Sequence, residues 1–344
     1  MPTLGRPSLG RVLAALARES GPAPARIVLV DDRPAHDPEP LPVAVPPALR
    51  DLVEVVPGLG RGPAAARNTG WRRCAEPWIA FLDDDVEPAP GWAAALTSDL
   101  AAAAADVAGV QARITVPLPE DRRPTDWERN TAGLATARWI TADMAYRRAA
   151  LEETGGFDER FPRAFREDAD LALRVLDAGW ALAVGGRHTV HPVRPADAWV
   201  SVRTQAGNAD DVLMRRLHGP GWWARAEAPR GRLRRHAAVT AAGAAALGAA
   251  ALRRPRLAAG CAALWLAGTA EFAAARVRPG PGTGEEVRRM AATSVAIPPA
   301  AVGHWLAGWV RHRGVDRSAR PAGEAVPVAD VPGSATRRDT PTTV

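Results

Sequence analysis

Two short apolar runs that end directly on acidic residues place the strongest constraint on the fold of this chain. Residues 27–30 precede Asp31 and Asp32, and residues 78–82 precede Asp83, Asp84 and Asp85. Runs of this length, rich in β-branched and aromatic side chains, are typical of buried strands. Helical stretches separate them, as expected of an α/β protein with a mostly parallel sheet that binds ligands beyond the carboxyl ends of its strands.

The same reasoning predicts the other elements of this sheet. A Gly-Pro step at Gly62-Pro63 opens a helix that continues to Cys74, because proline is well tolerated in the first turn. Acidic residues begin a helix at 167–178, whose apolar positions face inward. Further strands are predicted at 52–56, 107–115 and 140–146.

Length and charge bound the classes of function. The 344 residues suffice for one α/β domain with an appendage, and the net charge of +6 suits a polyanionic partner without specifying one. Arginine supplies all the basic side chains, and no zinc-finger or aromatic-basic motif predicts nucleic-acid binding. Cys74 and Cys261 lie far apart in the sequence, so neither a disulfide framework nor a thiolate metal site is expected.

The character of the chain changes after residue 225. Residues 236–252 and 257–275 are apolar and flank an arginine-rich turn, and each approaches the length of a membrane span. Residues 294–310 carry Trp305 and Trp309 at helical spacing, as an interfacial helix does. We therefore predict three regions: a catalytic domain at 1–225, a hydrophobic helical hairpin with an interfacial helix at 226–313, and a disordered tail at 314–344.

The aspartate cluster is the first candidate site. Three adjacent carboxylates repel one another unless a cation or hydrogen-bond donors offset their charge. A divalent metal would meet this need, and it would also neutralise a diphosphate leaving group. A solvated turn or a cap on the following helix is the alternative for Asp83 to Asp85.

Three other positions offer chemistry. Arg67 lies in the opening turns of a helix, where a phosphate is favoured, although a solvent-facing arginine is an equally good interpretation. Glu167 and Asp168 begin another helix and either complement its dipole or supply a general base. His191 follows the last predicted strand and either completes a metal site or is structural.

Five motifs occur together in one order between residues 2 and 191, and their joint occurrence is specific although each is weak alone. In that order and spacing the chain resembles the inverting family 2 glycosyltransferases. The motifs are Val30-Asp31-Asp32, Gly62-Pro63-Ala64-Ala65-Ala66-Arg67-Asn68-Thr69-Gly70, Phe81-Leu82-Asp83-Asp84-Asp85, Gly155-Gly156-Phe157-Asp158-Glu159 and Glu167-Asp168-Ala169-Asp170-Leu171.

The resemblance implies a GT-A fold, a Rossmann-like sheet that binds a nucleotide-diphosphate sugar, and transfer of that sugar to an acceptor hydroxyl with Mg²⁺ or Mn²⁺. It implies Asp168 as the catalytic base. The donor would contact Thr3, Arg6, Asp31, Arg67, Asp83 and Asp84, the acceptor or sugar Asp143 and Glu167, and the metal Asp83, Asp85 and His191.

Two departures from the family pattern qualify these expectations. The Gln-x-x-Arg-Trp motif of processive synthases is missing around Arg138-Trp139, which predicts the addition of one or a few sugars. The family's first strand would precede Pro2-Thr3, so we expect the chain as given to lack it, and its two neighbouring strands to be left with unpaired backbone groups.

Partners and location follow from the same resemblance and from the apolar region. The acceptor would be a glycan or a lipid-linked molecule of the cell envelope, and the site would face the cytoplasm at the cell membrane. The competing functions are a sugar nucleotidyltransferase, which normally carries a glycine-rich loop with a lysine, and an inactive membrane-tethered scaffold. The absence of lysine and the presence of Asp85 and Asp168 argue against these two.

Overall fold

The structure is a computed structural model that describes residues 1–34 and 39–315. The predicted tail, apart from Gly314 and Val315, lies outside these residues. The strands are β1 (Pro2–Thr3), β2 (Ile27–Asp31), β3 (Val53–Pro57), β4 (Trp78–Leu82), β5 (Glu87–Pro88), β6 (Val107–Thr115), β7 (Asp143–Arg147) and β8 (Ala181–Val190). The α-helices are α1 (Pro7–Ala17), α2 (Pro63–Arg72), α3 (Trp92–Ala102), α4 (Asp126–Ala132), α5 (Arg148–Thr154), α6 (Glu167–Asp177), α7 (Val200–Arg203), α8 (Gly207–His218), α9 (Trp222–Arg225), α10 (Leu233–Ala251), α11 (Pro255–Val277) and α12 (Gly284–Arg311).

The first sheet is parallel, in the order β1-β2-β3. Thr3 pairs with Asp31, and Asp31 pairs with Pro57, so the carboxyl ends of the three strands meet at one edge. β2 is almost wholly buried, as its uninterrupted apolar run predicts. This edge brings the first acidic motif next to the N-terminal residues.

The second sheet is mixed, in the order β4-β7-β6-β8-β5. β7 runs antiparallel to both β4 and β6, β5 runs antiparallel to β8, and β6 runs parallel to β8. The α/β class is confirmed, but the expectation of a mostly parallel arrangement was wrong for this sheet. The reason is that the connection carrying α4 returns the chain beside β4 in the opposite direction, which no local period of the sequence encodes.

An apolar cavity of about 270 Å³ lies between the two sheets. Side chains of β2 and β4 line it together with residues of α2 and α3, among them Val28, Trp71, Phe81 and Leu96. β1, which is only two residues long, pairs with β2 beside this cavity. That the chain lacks the family's first strand stays a prediction.

The C-terminal helices form a hairpin with an additional helix packed on it. α10 and α11 approach closely because Gly243 faces Trp265 and Gly268 faces Val239, where a larger side chain would collide. α12 contains Pro298 and Pro299. The hairpin exposes several large apolar side chains: Leu247, Leu252, Leu257, Leu264 and Leu266. Among the described residues α11 is the one helix that is long and apolar enough to cross a membrane, whereas the sequence predicted two borderline spans.

A buried arginine joins the hairpin to the α/β domain. The Arg276 side chain, at the end of α11, is 8% exposed and donates to Oδ2 of Asp126 on α4 at 2.7 Å. It also donates to the hydroxyls of Thr293 and Ser294 on α12 and of Ser201 on α7. Since a buried charge is tolerated only when it is well paired, these contacts fix the base of the hairpin to α4.

Candidate functional site

Six of the predicted site residues, Thr3, Arg6, Arg67, Asp83, Asp84 and Asp85, line a cavity of about 220 Å³ at the carboxyl ends of β1, β2 and β4. Its lining comes from the N-terminal residues, the start of α2, the turn after β4 and the segment after β8. The charged and hydroxyl-bearing residues of this lining are Thr3, Arg6, Asp32, Arg67, Asp83, Asp84, Asp85 and Arg194. The placement agrees with the rule that open α/β sheets bind ligands beyond their strand ends.

Arg67 joins two of the acidic motifs. Its side chain is 2% exposed and donates to Oδ1 of Asp83 and Oε1 of Glu167, both at 2.7 Å. Burial opposes its charge, but the two carboxylates outweigh this and raise the pKa of Arg67 above its ordinary value. Arg67 therefore remains a cation at the cavity wall. Its contact with a diphosphate stays a prediction, as does the role of Asp83 as a metal ligand.

Glu167 was predicted to contact the acceptor or the sugar, and this was wrong for the described conformation. The residue is 2% exposed and its Oε1 is held by Arg67. Burial and the neighbouring Asp168 raise the pKa of Glu167, the Arg67 guanidinium opposes this shift, and the buried Oε2 of Glu167 has no hydrogen-bond partner. Glu167 positions Arg67.

Asp143 was also predicted to contact substrate, and the structure corrects this interpretation. The side chain is fully buried and forms an ion pair with Arg187, which is fully buried as well. Its Oδ2 accepts from the indole of Trp92 at 2.6 Å and from the hydroxyl of Thr189. Both carboxylate oxygens are occupied inside the core, so Asp143 stabilises the second sheet and does not reach the cavity.

Asp84 is held by residues from the N-terminus of the chain. The Thr3 hydroxyl donates to Oδ2 of Asp84 at 2.7 Å, and Arg6 lies 3.5 Å from Oδ1. Three residues predicted from separate motifs therefore form one group. Their predicted contacts with the donor stay predictions.

Asp31 and Asp32 have different surroundings although they are adjacent. The Arg33 guanidinium donates to both oxygens of Asp31 and lowers the pKa of that carboxyl. Burial raises the pKa of Asp32, which also accepts from the backbone N–H groups of Arg61 and Gly62. Asp32 thus holds the loop that precedes α2, whereas the predicted contact of Asp31 with the donor stays a prediction.

Asp85 and His191 have the chemistry of a cation site. Oδ2 of Asp85 is buried and lies 3.8 Å from Nε2 of His191 and 2.9 Å from Nε of Arg194. Nδ1 of His191 lies 3.2 Å from the carbonyl oxygen of Pro192, which can only accept, and the neutral tautomer with its proton on Nδ1 would present a lone pair at Nε2. A carboxylate oxygen and an imidazole nitrogen that face each other are ligands that suit a divalent cation. Among the described residues no group of three or more His, Cys, Asp or Glu side chains converges as a complete metal site.

Asp168 forms no ion pair with any of the described residues. It lies in the first turn of α6, and its Oδ1 accepts from the backbone N–H of Ala169 at 2.7 Å. Burial raises its pKa, while Arg67 and Arg166 act in the opposite direction. The preceding Arg166 has a left-handed backbone (φ 77°), held by an ion pair with Asp211 and by stacking against Trp222. A half-buried carboxylate with a raised pKa is suited to accept a proton near neutral pH.

Asn68 links the glycine-rich motif to α2. Its amide donates to the carbonyl of Phe157 and accepts from the N–H of Phe157 and from the indole of Trp71. Gly156 has a φ of 76°, and a Cβ there would lie 2.5 Å from Oδ1 of Asn68. The motif that contains Asn68 and the motif that contains Gly156 and Phe157 therefore pack directly on each other.

Arg194 was missed by the sequence interpretation. Its Nε lies 2.9 Å from Oδ2 of Asp85, in the segment between β8 and α7. A single arginine in a segment without a recognisable motif gives no signal in the sequence. Arg187 was missed for the same reason, since its partner Asp143 is 44 residues away in the chain.

Comparison with known proteins finds similarity to a known family in residues 1–170. Residues 1–170 match the model of the family described as glycosyl transferase family 2. The Pre-mycofactocin glycosyltransferases of two Mycobacterium tuberculosis strains, CDC 1551 / Oshkosh and ATCC 25618 / H37Rv, are 35% identical to the chain over 133 residues. This match covers 35% of this chain and 27% of each relative, so the chain spans about a quarter of their length.

The solved structures to which the chain is similar include two that contain UDP or UDP-GlcNAc. Residues 1–349 of S. aureus TarS with UDP-GlcNAc are 14% identical, with a TM-score of 0.40, and the match covers 91% of this chain and 90% of that one. GalNAc-T7 with UDP, GalNAc and Mn²⁺ is 16% identical, with a TM-score of 0.36, and the match covers 59% of this chain and 48% of that one.

Proposed function

Because residues 1–170 of this chain belong to glycosyl transferase family 2, we propose that the protein is an inverting, cation-dependent glycosyltransferase. It moves a sugar from a nucleotide-diphosphate donor to an acceptor hydroxyl. The observation that carries the proposal is the position of Asp168, which has no ion pair among the described residues and directly follows Glu167, the partner of Arg67 at the cavity wall.

Asp168 is the base of the proposed reaction. Its carboxylate accepts the proton of the acceptor hydroxyl as the acceptor oxygen attacks the anomeric carbon and the nucleoside diphosphate leaves from the opposite face. The bond to the diphosphate breaks as the new glycosidic bond forms, so the configuration inverts. Glu167, one residue earlier, holds Arg67 against the cavity and takes no part in the proton transfer.

The donor end of the cavity suits a diphosphate. Arg67 and Arg6 supply positive charge, and Thr3 with Asp84 forms the wall next to them. Asp85 and His191, with Asp83 as the third predicted ligand, would hold a Mg²⁺ or Mn²⁺ ion, which would neutralise the charge that accumulates on the leaving group.

The acceptor and the location belong to the same proposal. We infer a glycan or lipid-linked acceptor of the cell envelope, extension by one or a few sugars, and action at the cytoplasmic face of the cell membrane. The exposed leucines of α10 and α11 support the membrane location, because a soluble surface rarely exposes a continuous apolar region of this kind.

The test is nucleotide release from a panel of UDP-, GDP- and dTDP-sugars with Mn²⁺, comparing the wild type with Asp168→Asn and Asp85→Ala. Asp168→Asn should lower transfer by roughly 10²- to 10⁴-fold and leave binding of the donor nearly unchanged, because it removes the base alone. Asp85→Ala should abolish cation-dependent donor binding.

Asp177→Asn is the matched control, because Asp177 lies at the other end of α6 and pairs with Arg225 on the surface. It should transfer at the wild-type rate. Transfer by Asp168→Asn at that same rate would show that the base lies elsewhere.

A further inference from the structure

Arg194 lies over the predicted cation site. Its Nε contacts Oδ2 of Asp85 at 2.9 Å, and this is the same oxygen atom that faces Nε2 of His191 at 3.8 Å. The Asp85 side chain is 5% exposed and the Arg194 side chain 47% exposed. One end of the ion pair is therefore fixed in the protein while the other can move into solvent.

Two cations cannot share this oxygen at such distances. A divalent ion binds a carboxylate oxygen at about 2.0–2.2 Å, so an unmoved guanidinium would lie within a few ångströms of it. Repulsion between the two positive charges at that separation is strong in a partly buried site. The guanidinium and a divalent cation are thus alternatives at Asp85.

The backbone of Arg194 is held independently of its side chain. The indole N–H of Trp127 on α4 donates to the carbonyl oxygen of Arg194 at 2.9 Å. The guanidinium can leave Asp85 by rotation of its own side chain while the segment from β8 to α7 keeps its place. The movement required is small and ends in solvent.

We propose that Arg194 is a positioning residue that holds the buried carboxylate of Asp85 toward His191 and is exchanged for a divalent cation when the site is loaded. This rests on the proposed cation-dependent function. While no cation is bound, Arg194 offsets the charge of Asp85 beside Asp83 and Asp84. A cation that binds without the donor binds more weakly for this reason, because the ion pair between Arg194 and Asp85 has to be broken first.

The experiment measures Mn²⁺ binding to the full-length protein by isothermal titration calorimetry at fixed ionic strength, without a sugar donor. Arg194→Gln should bind Mn²⁺ about fivefold more tightly than the wild type, as loss of a half-exposed competing ion pair implies. Arg194→Lys should lie between the two, since lysine keeps the charge but not the fork geometry. Asp85→Asn should remove the binding.

Arg225→Gln is the matched control, since Arg225 forms a surface ion pair with Asp177 far along α6. Its Mn²⁺ affinity should equal that of the wild type. Unchanged or weaker Mn²⁺ binding by Arg194→Gln overturns the proposal, and so does a wild type that binds no Mn²⁺. Tighter binding combined with no nucleotide release from any donor would instead refute the proposed reaction and leave the role of Arg194 standing.

Discussion

At the scale of single residues, the acidic side chains fall into two groups, those that form an ion pair with a basic side chain and those that do not. Asp143 is the extreme case, because Arg187, Trp92 and Thr189 occupy both of its oxygens and no part of it is exposed. Asp168 is the opposite case, with a raised pKa and no ion pair within the described part of the chain. The first group stabilises the fold, and the second is available for proton transfer.

Asp143→Asn tests this separation. The substitution keeps the shape but leaves the buried guanidinium of Arg187 without its counter-charge at that position, which should cost about 3 kcal/mol in the free energy of unfolding. Guanidinium chloride denaturation measures it. Asp197→Asn, which breaks an exposed pair with Arg203, should leave the free energy of unfolding nearly unchanged. Unchanged stability together with a raised KM for the acceptor would restore Asp143 as a substrate contact.

The sequence identified most of the residues around the cavity but not their partners. The motifs predicted Arg67, Asp83, Asp85 and His191, because strand ends and helix starts are recognisable locally. The contact between Arg67 and Glu167 spans 100 residues, and its consequence, a positioning role for Glu167, has no local signal. The same holds for Arg194, which is defined only by the folded position of Asp85.

At the scale of elements, the local sequence pattern predicted well which strands and helices form, but it predicted poorly the direction in which the strands run. β4 and β6 have the bounds that their apolar runs predict, and α6 begins at Glu167 as expected. β7 begins at Asp143, three residues later than predicted, since 140–142 belong to the preceding turn. The antiparallel direction of β7 depends on tertiary packing, which a strand's own side chains do not specify.

α4 offers an element whose stability should depend on pH. Thr125 and Glu128 form a capping box at its start, and the Arg122 guanidinium beside Glu128 lowers the pKa of that carboxyl to about 2. A carboxyl with a lowered folded-state pKa stabilises the fold above its unfolded pKa of about 4.3, and this stability is lost as the pH falls toward 2.

Glu128→Ala should therefore lower the free energy of unfolding at pH 7 by roughly 1 kcal/mol, with a smaller difference from the wild type at pH 3. Urea denaturation at the two pH values gives the comparison. Glu152→Ala, which removes an exposed partner of Arg148, serves as the control with little change at either pH. A difference that is equal at both pH values would contradict the role of the ionised cap.

At the scale of the whole molecule, an α/β domain carries an exposed apolar hairpin. The prediction is that the purified protein binds lipid vesicles through this hairpin, because burying its leucines in the bilayer removes apolar surface from water. Vesicle flotation measures the bound fraction. The double substitution Leu247→Glu and Leu264→Glu should reduce that fraction at least tenfold, since each charge opposes insertion.

Leu118→Glu is the control for flotation, because Leu118 is exposed on the α/β domain and not on the hairpin. It should float like the wild type. Wild-type protein that stays at the bottom of the gradient would argue that α10 and α11 form a soluble hairpin.

The ion pair between Arg276 and Asp126 also affects the distance between the cavity and the hairpin. α4 receives Arg276 from the hairpin and, through Trp127, holds the carbonyl of Arg194 above Asp85. The 23 residues of α11 measure roughly 35 Å, and their base is fixed to the helix that borders the site. With the hairpin embedded, the cavity would stand at a set height above the lipid surface. The enzyme would then act as a ruler, selecting an acceptor hydroxyl by its distance from the membrane as well as by its chemistry.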